Sequence, residues 1–154
     1  MNDASQPTAP GAGTAEERRQ KLVDGLRRWQ QIERAAVEQT AAIMERTRNP
    51  LVRQLMEIIR NDSVQHHRVQ QFLIDSLVRE PVTLTAAEID EVWEQVERHD
   101  RTEKAVVEMA RELRDACDFY VQRALIDYLL LDEEKHDALL EKLGEFREQM
   151  DPSP

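Results

Sequence analysis

The sequence predicts an all-α protein, a four-helix bundle made of two repeated helical hairpins in up-down-up-down order. Three observations predict the helices and their pairing. Glycine is scarce, with 4 in 154 residues, while charged residues make up 34%, a composition of solvated helix faces rather than of loops or strands. Apolar residues recur at steps of three and four along four long segments. The chain also matches itself at an offset of 70 residues without a gap, as two copies of one supersecondary unit would. The length fits a single domain, residues 14–150, behind a short tail.

Residues 1–13 (MNDASQPTAPGAG) are small, polar and rich in Pro and Gly, and are expected to be a disordered, solvated tail. Thr14-Ala-Glu-Glu17 has capping-box spacing and opens the first helix. Its inner stripe is Leu22, Leu26, Trp29, Val37, Thr40 and Met44, and Arg48-Asn49-Pro50 stops it, because Pro lacks a donor and restricts the residue before it. The second helix runs from Pro50 to about Val78, with Leu51, Leu55, Ile59, Val69, Leu73 and Leu77 inward. After the break at 79–84, Thr85-Ala-Ala-Glu88 repeats the capping-box spacing. The third helix then places Ile89, Val92, Val96, Val106, Ala110, Leu113 and Cys117 inward. The fourth, from about Tyr120 to Gln149, does so with Leu125, Leu129, Leu139, Leu143 and Phe146. No local punctuation marks its start; the break near Asp118 follows from the repeat.

That repeat superposes Glu33 on Glu103, Val37 on Val107, Arg53 on Arg123, Asp62 on Asp132 and His66 on His136. An Asp-x-x-x-His in both copies is more than helical composition produces by coincidence.

Charge and cysteine content bound the function. With 21 Lys and Arg against 31 Asp and Glu, the net charge of −10 opposes sequence-independent binding of nucleic acid, which needs clustered positive charge. The longest apolar run, Tyr128 to Leu131, is far short of the roughly 18–20 residues of a membrane span. No secretory signal is legible at the N-terminus, and one cysteine, Cys117, excludes an internal disulfide. A cytoplasmic location is the expectation, with Cys117 a buried, inert thiol. No nucleophile elbow, phosphate loop or zinc-type Cys pair is present, and no catalytic residue is legible.

Polar residues interrupt every inner stripe. Glu33 lies in the first, Asp62, Ser63 and His66 in the second, His99 and Glu103 in the third, and Asp132, Glu133 and His136 in the fourth. With turns near 48 and 118, Glu33, Ser63, Glu103 and Glu133 are each 15 residues from their turn, His66 and His136 are 18, and His99 is 19. At a rise of about 1.5 Å per residue these side chains share one layer. A buried carboxylate is costly unless a partner or a metal ion compensates it. Glu133 and His136, at i and i+3, share a helix face and can ligate one ion; with Glu103 they resemble one half of a bundle-type dimetal carboxylate site. Carboxylate and imidazole donors suit iron or manganese, and zinc is an alternative.

At these residues the chain resembles the ferritin-like, rubrerythrin-type superfamily over about residues 15–149. In that family each hairpin supplies one Glu and then a Glu-x-x-His on the next helix. The second half matches through Glu103, Glu133 and His136; the first matches at Glu33 and His66, with Ser63 in place of its second Glu. Ser is too short and uncharged to bridge two ions, and His99 can stand in for the missing ligand. The resemblance thus implies a metal set of Glu33, His66, His99, Glu103, Glu133 and His136, holding one or two ions, preferably iron. Reaction with dioxygen or peroxide is the chemistry it implies.

The family's long crossover between helices two and three is missing, since about seven residues span at most ~25 Å against a helix of about 43 Å. The stripe from Ile89 to Leu113 favours one continuous third helix; residues 85–98 as a separate crossover helix are the alternative. A metal-free helical adaptor, with a structural polar layer and an acidic partner surface, is the competing function. A homodimer is compatible with helices of this length; nucleic acid and membrane are not expected partners.

Overall fold

A computed structural model describes residues 13–150, and the expected tail therefore lies, Gly13 apart, outside the described residues. The chain is all-α: α1 (Ala15–Arg46), α2 (Pro50–Val78), α3 (Ala86–Asp115) and α4 (Tyr120–Met150), with no strand among the described residues. α1 packs against α2, and α3 against α4. The two helical hairpins fall in two compact units, Met1–Val82 and Thr83–Pro154.

The starts of three helices follow from capping chemistry. Thr14 Oγ1 accepts from the Glu17 amide at 3.1 Å while Glu17 Oε2 accepts from the Thr14 amide at 2.7 Å. Thr85 and Glu88 build the same box at 3.3 and 2.8 Å. Each box satisfies amides that the first turn of a helix leaves without partners. α2 starts differently: Asn49 Oδ1 accepts from Leu51 and Val52, and Pro50 occupies the first helical position, where a missing N–H costs nothing.

α4 has no such cap, and the repeat explains its start. Arg123 donates twice to the Cys117 carbonyl, at 3.1 and 2.7 Å. Its counterpart Arg53 donates to the Met44 carbonyl at 2.5 Å. In both hairpins the arginine fastens the second helix to the closing residues before it. α3 is continuous from Ala86 to Asp115, which leaves no separate crossover helix at 85–98.

The expected stripes hold in part, with Leu26, Thr40, Ile89 and Ala110 buried, and elsewhere the buried faces are turned from them. In α1 they comprise Val23, Leu26, Gln30, Glu33 and Thr40, whereas Leu22 and Trp29 are about half exposed. In α2 they comprise Ser63, Gln70 and Ile74, and Leu55, Ile59, Val69 and Leu73 are exposed. α3 buries Ile89, Glu103, Val107 and Ala110 but exposes Val92 and Leu113. No α4 residue is fully buried, and Leu129, Leu139 and Phe146 are exposed.

The correction has a simple geometric cause. Moving from Leu22 to Val23, Trp29 to Gln30, or Leu73 to Ile74 is one residue, a turn of about 100° around the helix. An apolar stripe can be at least that wide, but the seam with one antiparallel neighbour covers only the flank facing it. Along the first seam Val23, Leu26 and Ile74 form a small core, with Leu77 packed against it. Cys117 is half-buried in the turn after α3 rather than sealed in a stripe.

Charge divides unequally between the units. Residues 1–82 carry 12 Lys and Arg against 11 Asp and Glu, while residues 83–154 carry 9 against 20. The first unit is close to neutral and the second is strongly acidic. No described helix is long and apolar enough to cross a membrane.

Candidate metal centre

The site is built in the second unit, where α3 presents Glu103 and α4 presents Glu133 and His136. Glu103, Glu133 and His136 each offer one ligand atom, all within 4.8 Å of one another. Glu133 Oε2 lies 3.3 Å from His136 Nδ1, as the i, i+3 spacing requires, and Glu103 Oε2 lies 3.6 Å from the same nitrogen. The other Glu103 oxygen faces His99, one turn earlier on α3, at 2.9 Å from Nε2.

Burial makes this cluster different from a surface acid patch. Glu103 is 7% exposed, and its Oε2 is sealed from solvent without a hydrogen-bond donor. Such an atom is costly to leave unsatisfied. The two carboxyl groups titrate as a pair. Hydrogen bonding with Glu133 holds the Glu103 carboxyl below its ordinary value against the opposing effect of burial, and His99 and His136 add to the lowering. The Glu133 carboxyl is pushed up, first by Glu103 and then by burial, with His136 pulling it back. Two facing carboxylates each make the other's ionisation more costly, and the cost falls on Glu133. A bound cation would let both ionise. His99, Glu103, His136, Leu139 and Leu140 line an open pocket that leads to this cluster.

The first unit repeats the geometry with one part missing. Glu33 is 7% exposed and its Oε1 lies 3.2 Å from His66 Nδ1. Ser63, the counterpart of Glu133, is buried beside them in a groove also lined by Arg34, His67 and Arg68. A hydroxyl stands where the second unit has Glu133, and the groove is lined by two guanidinium groups as well as by the carboxylates of Glu33 and Glu38. His67 is half-buried, with Nε2 at 3.4 Å from an Arg34 nitrogen.

Of the six candidate ligands, three therefore converge, His99 touches one of those three, and Glu33 with His66 forms a pair in the other unit. Two features escaped sequence reasoning. The unequal charge of the halves was present in the sequence but hidden in the whole-chain total. Asp132 belongs to the repeated motif and to the polar break in the fourth stripe but was not among the candidate ligands; its Oδ2 lies 3.8 Å from His136 Nε2. No family model matches the chain, and no curated protein or solved structure matches it.

Proposed function

We propose that the protein binds a transition-metal ion through Glu103, Glu133 and His136 of the α3–α4 hairpin. The observation that carries this reading is the convergence of one ligand atom each from Glu103, Glu133 and His136 within 4.8 Å of one another, with Glu103 Oε2 sealed from solvent and 3.6 Å from the imidazole nitrogen. Two carboxylates and one imidazole make a hard, anionic donor set suited to iron or manganese, with zinc as an alternative. His99 holds the Glu103 carboxylate from the opposite side, and the acidity of residues 83–154 raises the local cation concentration. The repeated Glu and His positions support a ferritin-like origin. Iron bound there would supply one-electron chemistry toward dioxygen or peroxide; the side chains hold the ion, and the pocket beside His99 admits small solutes.

The test is metal content after purification without added metal, followed by melting with Fe²⁺, Mn²⁺ or Zn²⁺. A metal-dependent rise in Tm, absent in Glu103→Ala and His136→Ala, is expected. Unchanged melting together with no retained metal overturns the reading.

One observation favours the metal-free adaptor as a second reading. Large apolar side chains are solvent-exposed, among them Ile32 at 66%, Phe72 at 57% and Leu131 at 67%, more than a solitary helical module needs to display. Under that reading the acidic second unit meets the partner, and added metal leaves Tm unchanged.

A further inference from the structure

The imidazole of His136 faces a different carboxylate on each nitrogen. Its Nδ1 is 3.3 Å from Glu133 and 3.6 Å from Glu103, whereas its Nε2 is 3.8 Å from Asp132 Oδ2. The other oxygen of Asp132 is paired with Lys135 Nζ, which leaves Oδ2 toward the ring. A neutral imidazole carries its proton on one nitrogen and its lone pair on the other. For Nδ1 to bind an ion beside two glutamates, the proton must sit on Nε2.

We propose that Asp132 is a positioning residue that accepts the His136 Nε2–H and so holds the ring in the tautomer that ligates through Nδ1. This rests on the metal-binding reading above. The two side chains lie at i and i+4 on α4, so they are neighbours on one helix face, and a small side-chain rotation closes 3.8 Å to hydrogen-bond length. A carboxylate behind a ligating imidazole orients the ring and raises its basicity. The role also fits the place of Asp directly before Glu133: a ligand at i, its imidazole at i+3, and the acceptor at i−1 form one compact unit on little more than one helical turn. The first unit keeps Asp62 and His66 at the same spacing but lacks the second ligand carboxylate.

The experiment compares the full-length protein with Asp132→Ala and Asp132→Asn. Both remove the same charge, but Asn retains a carbonyl acceptor, so their difference isolates the hydrogen bond from general attraction of cations. Two readouts are taken: Zn²⁺ affinity by competition with a chelating dye, and the His136 tautomer by ¹⁵N NMR in metal-free and Zn²⁺-loaded protein at neutral pH. Asp132→Ala is expected to weaken Zn²⁺ binding by roughly 10–100-fold and to shift the metal-free ring away from the Nε2–H tautomer, with Asp132→Asn restoring most of both. Unchanged tautomer and affinity in Asp132→Ala overturn the proposal while leaving metal binding intact, as does equal weakening in both variants without a tautomer shift. If the wild-type protein binds no Zn²⁺, Fe²⁺ or Mn²⁺, the metal reading fails. The metal-free tautomer then decides the role of Asp132: a shift in Asp132→Ala that Asn reverses supports it, and no shift overturns it.

Discussion

The two hairpins run the same plan to different ends. Each buries a glutamate on its first helix, Glu33 or Glu103, and meets it with a histidine from the second, His66 or His136. One position separates them chemically: Ser63 is a small neutral group where Glu133 is a carboxylate. In the first hairpin the buried acid is satisfied by its histidine within a near-neutral unit, an arrangement complete as a structural polar contact. In the second, two carboxylates and a histidine crowd together within an acidic unit, and Glu103 keeps an oxygen without a donor.

The largest effect should come from removing that acid. Glu103→Ala is expected to reduce Fe²⁺ or Zn²⁺ affinity by more than about 100-fold, exceeding the usual loss for an outer-sphere partner, while Glu33→Ala leaves it within a few-fold. Isothermal titration of both variants decides the matter. Equal losses would mean that the two hairpins do not differ in the way their geometry implies.

The converse substitution comes next. Ser63→Glu restores the second carboxylate opposite Glu33 and His66, and should raise Zn²⁺ stoichiometry from one ion per chain toward two, with weaker binding at the new site because Arg34 and Arg68 line that groove. Without metal it should lower Tm, since a carboxylate then replaces a fully buried hydroxyl. A stoichiometry still at one, measured by elemental analysis, would show that more than the missing ligand separates the two hairpins.

Much of this contrast was legible before any coordinates. Capping boxes at Thr14 and Thr85, the Pro50 stop and the repeat define all four helices because capping is local chemistry. Depth along an antiparallel pair is also local, being set by residue count from the turn, so Glu33 meets His66 and Glu103 meets His136. The rotation of the seams was not legible. Leu22 and Val23, or Leu73 and Ile74, are equally apolar, and only the neighbour's position chooses which one is buried. The site was legible in its residue types but not in its electrostatics: the pairing of Glu103 with Glu133 and the orientation of His136 depend on contacts of 3–4 Å, one of them across to α3 and one within α4.

Those electrostatics give a third, smaller difference, with a definite sign. The Glu133 carboxyl is raised in the folded protein, so it contributes stability below its unfolded value, lost as pH rises through the folded one. Glu103 is lowered and works oppositely, its contribution being present above the unfolded value and lost as pH falls through the folded one. Metal-free Glu133→Gln should therefore melt above the wild-type protein at neutral pH, with the gap closing in acid, where Glu133 is protonated anyway. Saturating Zn²⁺ should reverse the order, because the variant has lost a ligand. Thermal melts across pH check it; a gap that widens in acid contradicts the upward push of Glu103 on Glu133.

The smallest effect concerns the turns. Arg53 and Arg123 occupy equivalent positions and each donates to a carbonyl before its helix, but their neighbourhoods are unequal. α2 already has Asn49 as cap and Pro50 at its first position, so losing Arg53 leaves the start of the helix satisfied. α4 has neither, and Arg123 makes two hydrogen bonds to the Cys117 carbonyl in a solvent-accessible turn. Arg123→Ala should cost about 0.5–1.5 kcal/mol, the usual contribution of a modest hydrogen bond, and appear as faster amide exchange over the first turn of α4. Arg53→Ala should change exchange at the start of α2 by no more than a few-fold. If both ends loosen alike, the cap at Asn49 contributes little, and the arginine brace is the common closure of both hairpins.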